Sequence, residues 1–223
     1  MGRRRKFRKS SDLLPRVLSA VFLIPISLYI IYLGPPYGLI LGGLITLGLF
    51  IEWVRLCLKN RHPFWQKFIF SLLGTVYLGL AIFWLFQYLS LPESWKFIYW
   101  ILFLIWSTDS AAYIGGMLLK GPKLAPSISP NKTWSGFFAG MIMGTAVGYE
   151  TSFWLFPGVF GLWGIALLVL IAQGGDLLES MAKRWSYVKD SSSLIPGHGG
   201  LLDRLDSLLA VSFALSLWQM LHT

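Results

Sequence analysis

The residues with the types and spacing to do chemistry lie in the last third of the chain: Asp176, Glu179, Ser180 and Lys183-Arg184, then Lys189-Asp190, Pro196-Gly-His198-Gly199-Gly200 and Asp203-Arg204-Leu-Asp206. Asp176, Glu179, Ser180 and Lys183 recur at intervals of three and four, so on a helix they form one polar face. Asp203 and Asp206, three apart, share a face in the same way. Two readings of that pair stand side by side. Aspartates in a first turn complement the positive end of the helix dipole. Alternatively, Asp176, Asp203 and Asp206 converge. Clustered carboxylates repel one another unless cations lie between them, and an all-oxygen donor set suits Mg²⁺, which completes its shell with phosphate oxygens and water. For the stripe from Asp176 to Lys183 the plain alternative is a self-satisfied set of ion pairs. The glycines admit close backbone approach to a ligand, and His198 either bonds a phosphate or braces the turn.

A second polar stretch, Lys120-Gly-Pro-Lys-Leu-Ala-Pro-Ser-Ile-Ser129-Pro130-Asn-Lys132-Thr133-Trp-Ser135, reads as a loop ahead of a helix. Its ammonium groups, hydroxyls and free N–H groups before a helix N-terminus are what an anionic phosphate needs, although basic, proline-rich loops also occur without any ligand. Asp109 lies in the middle of an otherwise apolar segment. A carboxylate there costs about 2.5–3.5 kcal/mol on insertion scales, so it demands a partner or a role. Glu52, beside Trp53 and Arg55 near a helix end, reads as half of a structural ion pair. Glu150 snorkels outward or faces a neighbouring helix.

The elements that position these groups are membrane helices. Of the 223 residues 55% are hydrophobic and only 13% charged, a composition that belongs in a bilayer. A hydrocarbon core about 30 Å thick needs roughly 20 apolar residues per helix. Seven such segments are expected near 16–34, 37–57, 67–89, 95–118, 136–156, 160–182 and 203–222, with Pro25 kinking the first without excluding it. The single cysteine, Cys57, rules out an intramolecular disulfide, and with only His62, His198 and His222 beside it there is no zinc-type cluster.

Net charge is +9, which in so apolar a chain reports topology and anionic headgroups rather than nucleic acid. With Arg3, Arg4, Arg5, Lys6, Arg8 and Lys9 in the cytosol and the sides alternating, the lysines and arginines at 55–67, 120–132 and 183–204 all fall inside, and only Lys96 falls outside. That positive-inside bias supports seven spans and a cytosolic N-terminus. The chain reads as one integral-membrane domain over 1–223, with a basic arm at 1–15, N-terminal helices at 16–100, and catalytic helices and loops at 101–223.

Residues 180–206 resemble the signature of the phosphatidate cytidylyltransferases, also called CDP-diacylglycerol synthases. Every fixed element of that pattern falls in place at Ser180, Lys183-Arg184, Lys189-Asp190, Pro196, His198-Gly199-Gly200, Asp203-Arg204 and Asp206. Upstream, Ser129-Pro130-Asn131-Lys132-Thr133 through Gly136 is similar to that family's Ser-Pro-Lys-Lys-Thr-x-Glu-Gly, and Asp109 with Ala112-Tyr113 matches its Asp-x-x-Ala-Tyr. The departures are Asn131 for lysine, Ser135 for glutamate and Ala182 for a larger apolar residue.

The resemblance implies an all-α polytopic membrane enzyme that takes CTP and phosphatidate, needs Mg²⁺ with K⁺ assistance, and works as a homodimer. It implies Asp176, Asp203 and Asp206 as metal ligands and Lys183, Arg184, Lys189, Asp190 and Arg204 as the catalytic set. Asp109, Ser129, Pro130, Lys132, Thr133, Ser180, His198, Gly199 and Gly200 then contact substrate. A bacterial inner membrane, with the site facing the cytosol, is the expected location. A CTP-dependent polyprenol kinase and an ion-coupled transporter, with Asp109, Glu150 and Asp176 lining its path, are the rival readings.

Overall fold

The computed structural model describes residues 13–59, 61–156, 161–192, 194 and 199–222, with side chains from Val21 to Leu221 within those limits. Each expected segment is a helix: α1 Leu13–Tyr32, α2 Tyr37–Lys59, α3 Phe64–Leu89, α4 Ser94–Leu119, α5 Trp134–Leu155, α6 Leu162–Trp185 and α7 Leu202–His222. Pro25 lies inside α1, which runs through it. Among the described residues, α2, α3, α4 and α6 are long and apolar enough to cross a membrane. The fold is that of an all-α membrane protein. Large apolar side chains face outward, among them Phe64, Leu73, Ile142, Trp154, Trp163 and Leu221. In water such a surface would drive aggregation, whereas in a bilayer it meets hydrocarbon.

Contacts at the helix ends establish an up-and-down arrangement. At one end the rings of Tyr32 and Trp95 meet at 5.4 Å and those of Phe97 and Phe156 at 5.6 Å, which gathers the α1 and α5 C-termini around the start of α4. At the other end His62 stacks on Trp185 at 4.3 Å, and Arg184 Nε donates to Ile128 O at 3.3 Å. The α2–α3 connection, the α4–α5 connection and the end of α6 therefore share one face of the bundle.

The stretch expected as a loop contains a small antiparallel hairpin, β1 Lys123–Ala125 and β2 Ser129–Thr133. Thr133 then caps α5, its Oγ1 accepting from Gly136 N at 3.1 Å.

Two buried clusters hold the helices. Trp84, Trp100, Ile101, Leu104, Ile165, Val169 and Val211 join α3, α4, α6 and α7, and Leu49, Trp53, Leu56, Leu78, Ala81, Leu202 and Leu209 join α2, α3 and α7. The tightest approach is that of α5 to α4. Gly136, Gly140, Gly144 and Gly148 repeat every fourth residue, so they line one buried face. A Cβ would stand 2.5 Å from Ala112 O at Gly136 and 2.0 Å from Thr108 Oγ1 at Gly144. Small residues at this spacing let membrane helices touch backbone to backbone.

Candidate active site

Four elements bring carboxylates or lysines to the face shared by the connections: α4 with Asp109, β2 with Lys132, α6 with Asp176 to Lys183, and α7 with Asp203 and Asp206. Gly175 explains the approach of α6 to α7, since a Cβ there would meet Ala210 Cβ at 2.4 Å and Asp206 O at 2.9 Å. Ser207 Oγ then donates to Ala172 O at 3.0 Å and pins the two helices together. Asp176, next to Gly175, is thereby held opposite the start of α7.

The acidic groups form two neighbouring centres. In the first, Lys132 Nζ lies 2.7 Å from Asp176 Oδ2, and Ser180 Oγ donates to Asp176 Oδ1 at 3.4 Å. Asp109 stands within reach of the charges of Asp176 and Lys132, and Asp206 within reach of those of Asp176, Asp109 and Lys183. Asp206 Oδ1 accepts from Ser207 N at 2.7 Å. In the second centre Lys183 sits between Glu179, with which it is ion-paired, and Asp203 Oδ1 at 2.6 Å. The Glu179 side chain is only 11% exposed, so this ion pair is held largely out of water.

Asp203 also organises the connection before α7. Its Oδ2 accepts from Gly200 N at 2.8 Å, Ser191 N at 3.1 Å and Ser191 Oγ at 3.1 Å. Gly199 has φ +89°, a backbone that favours glycine, and places the chain for this turn. Lys189, Asp190, Arg184 and Arg204 are exposed around the rim, and Pro130 is exposed on β2, where Ser129 is half-buried. The Thr133 hydroxyl is engaged in capping α5 and in a 3.1 Å contact with Ser135 Oγ. His198 and Pro196 lie outside the described residues.

Glu52 differs from its expected part. It is 1% exposed and, instead of pairing with a cation, accepts from Ser192 Oγ at 2.5 Å, Ser191 Oγ at 3.0 Å, Leu201 N at 2.9 Å and Leu202 N at 2.8 Å. Sequence reasoning missed this role because the donors are distant in the chain. Glu150 accepts from Trp154 Nε1 at 3.1 Å on an exposed face, well away from the carboxylate centres.

The donor set bears on a divalent cation. Among the described residues, no three His, Cys, Asp or Glu side chains form a group able to hold a metal ion, so Asp176, Asp203 and Asp206 do not make a ready three-carboxylate cage. The chemistry of the donors nevertheless fits a hard cation. All are carboxylate oxygens, and Asp176, Asp203 and Glu179 each already hold a lysine ammonium group. Mg²⁺ ordinarily uses only one or two protein carboxylates and takes the rest of its shell from phosphate and water.

Comparison with known proteins agrees with this chemistry. Residues 57–221 match the cytidylyltransferase family. The phosphatidate cytidylyltransferase of Rickettsia felis is 34% identical over 218 residues, which covers 93% of this chain and 92% of that protein. The phosphatidate cytidylyltransferase of Brucella suis is 34% identical over 252 residues, 93% of each chain. With carboxylates and lysines gathered on one face of a membrane bundle, and relatives aligned along nearly the whole sequence, the chain belongs to the cytidylyltransferase family.

Proposed function

We propose that this chain transfers CMP from CTP to phosphatidate, giving CDP-diacylglycerol and pyrophosphate, at the membrane face where its motif loops meet. The observation that carries the reading is the juxtaposition of Lys132 from β2 and Asp176 from α6, with Asp206 and Lys183 beside them. Such a site neutralises polyphosphate, and the named activity of the aligned relatives supplies the substrates.

The reaction forms a bond between a phosphatidate phosphate oxygen and the α-phosphorus of CTP, and it breaks the bond from that phosphorus to the bridging oxygen of the β-phosphate. Pyrophosphate leaves with the electron pair. The nucleophile is already anionic, so no strong general base is required, and positioning and charge neutralisation carry the catalysis. Lys132 is held on Asp176 and Lys183 between Glu179 and Asp203, which sets both ammonium groups where phosphate oxygens would be met. Arg184, Lys189 and Arg204 at the rim draw in the two anionic substrates, and Arg in particular grips phosphate bidentately.

Ser129 and Pro130 hold the strand that presents Lys132, and Thr133 anchors that strand to α5. A divalent cation held by Asp176 and Asp206, with Asp203 and Glu179 adjoining, supplies further neutralisation of the triphosphate when bound. Asp109 adds negative charge beside this set, and Gly199, Gly200, Asp190 and His198 shape the loop against the substrate.

We further propose seven spans with a cytosolic N-terminus in a bacterial inner membrane. The gathering of the basic connections at one end of the bundle supports this orientation, because CTP is cytosolic and the phosphatidate headgroup lies at the leaflet surface. A homodimer is the proposed assembly, and light scattering of the detergent-purified protein measures it.

The test of the function is incubation with phosphatidate and CTP radiolabelled at its α-phosphate, with and without Mg²⁺ and K⁺. Label is expected in the lipid, matched by pyrophosphate. Release of CDP with no CMP on the lipid would instead identify a lipid kinase, and no transfer by folded protein would overturn the reading.

A further inference from the structure

Glu52 is a carboxylate buried in the last third of α2, and no salt bridge reaches it among the described residues, a costly arrangement unless hydrogen bonds replace the lost water. It receives four. Oε1 accepts from Ser192 Oγ and Leu201 N, and Oε2 from Ser191 Oγ and Leu202 N. Three of these donors belong to the connection that carries the signature between α6 and α7, and the fourth, Leu202, opens α7. Leu201 and Leu202 stand at the start of α7, so the carboxylate also meets the positive end of that helix dipole.

Two glycines make the fit possible. A Cβ at Gly200 would lie 1.9 Å from Ser191 Oγ and 2.6 Å from Glu52 Oε2, and one at Gly48, a turn before Glu52, would lie 2.3 Å from Leu201 Cδ1. Ser191 Oγ lies 3.0 Å from Glu52 and 3.1 Å from Asp203, so one hydroxyl bridges α2 to the acidic group at the head of α7. Glu52 itself lies before residues 57–221, the part that matches the family.

We infer that Glu52 is a positioning residue for the transfer reaction: from α2 it clamps both ends of the signature loop and so fixes Asp203 and Asp206 on the substrates. The inference rests on the proposed CMP transfer. Glu52 touches no reacting atom and acts through Ser191 and the first turn of α7.

The test uses full-length protein in detergent. Glu52→Gln keeps the shape but sets an NH₂ group against the N–H of Leu201 or Leu202, which cannot turn to accept as the serine hydroxyls can. We expect kcat to fall about tenfold or more, with KM for CTP and for phosphatidate changed less than about threefold, because misplacement acts on the transition state. Trypsin should cut the E52Q chain after the exposed Lys189 faster than it cuts wild type, a readout that needs no activity.

Ser191→Ala, which leaves three donors on Glu52, should show the same kcat-weighted loss to a smaller degree. Combined with E52Q it should cost less than the product of the two single losses, as for residues acting through one another. A wild-type rate with an uncut loop in E52Q would overturn the inference, as would multiplicative losses in the double variant, or a rate loss that only tracks loss of folded protein on melting. If wild type itself transferred no CMP, the proposed function would fail, and the trypsin comparison would still judge the clamp.

Discussion

Gly144→Ala measures how tightly α5 is seated on α4. The new Cβ would stand 2.0 Å from Thr108 Oγ1, and since Cβ atoms essentially never approach closer than 3.0 Å, the pair must open by at least 1.0 Å. Thr108 cannot give way freely: it is fully buried, and its hydroxyl donates to Leu104 O at 2.7 Å. Overpacking of this kind costs about 1–3 kcal/mol, offset by about 0.5–1 kcal/mol for replacing a helical glycine. The net loss centres on about 1.3 kcal/mol, a fall in Tm of roughly 3–5 °C for a chain of this size.

The control is Gly79→Ala on α3, where a Cβ meets nothing within 4 Å, and it should hold or raise Tm. Thr108→Ala in the Gly144→Ala background removes the obstructing hydroxyl and should recover most of the loss. Melting of the detergent-purified variants, followed by tryptophan fluorescence, provides the comparison. If Gly144→Ala melts with Gly79→Ala, or if Thr108→Ala brings no recovery, the backbone contact argued from the glycine stripe is wrong.

Asp176→Asn and Asp206→Asn should each lower CMP transfer by about 100-fold or more while moving Tm little, because electrostatic stabilisation of this kind outweighs a part-exposed ion pair; labelled transfer and melting on the same samples check both halves. Lys132→Gln should raise KM for CTP by roughly tenfold, since the lost ammonium is worth about 1.4 kcal/mol or more against a polyphosphate, and steady-state kinetics at fixed phosphatidate reads it. Chelation of divalent cations should abolish transfer and added Mg²⁺ restore it, with the far-UV circular dichroism unchanged throughout. Trp100→Phe removes the 2.9 Å donor from Gly148 O, which keeps a 3.3 Å bond from Thr151 Oγ1, so the lost bond should cost about 0.5–1.5 kcal/mol, seen as a lower Tm with kcat preserved.

The helices were legible because apolar runs of membrane length leave little choice of structure: the segment expected at 160–182 is Leu162–Trp185, and that at 95–118 is Ser94–Leu119. The polar face of α6 was legible from its three-and-four spacing, and the structure puts Lys132, Ser180 and Lys183 around its carboxylates. The division of the acidic groups was not. Asp203 and Asp206 share a face by periodicity, yet three residues still turn the helix by about 300° and advance it by about 4.5 Å, enough to send the two side chains to different partners.

The hairpin was illegible because strands of 3 and 5 residues broken by proline carry no alternation. Glu52 was read as an ion pair because Arg55 is near in sequence, while its true donors are 139 to 150 residues away. The glycine spacing of α5 was in plain sight, and a four-residue repeat of small residues is the signal that finds such a contact.

The span between Glu52 and its donors also has a meaning for biogenesis. A ribosome extending by about 5–20 residues per second needs roughly 7–30 s to go from the glutamate to the serines and leucines that receive it. Through that interval the carboxylate lacks these four donors, so the last third of α2 must stay at the water boundary while later helices enter the membrane. The start of α7 releases it. Arrival of α7 thus both completes the acidic group and lets an early helix settle, which ties competence for chemistry to the synthesis of α7.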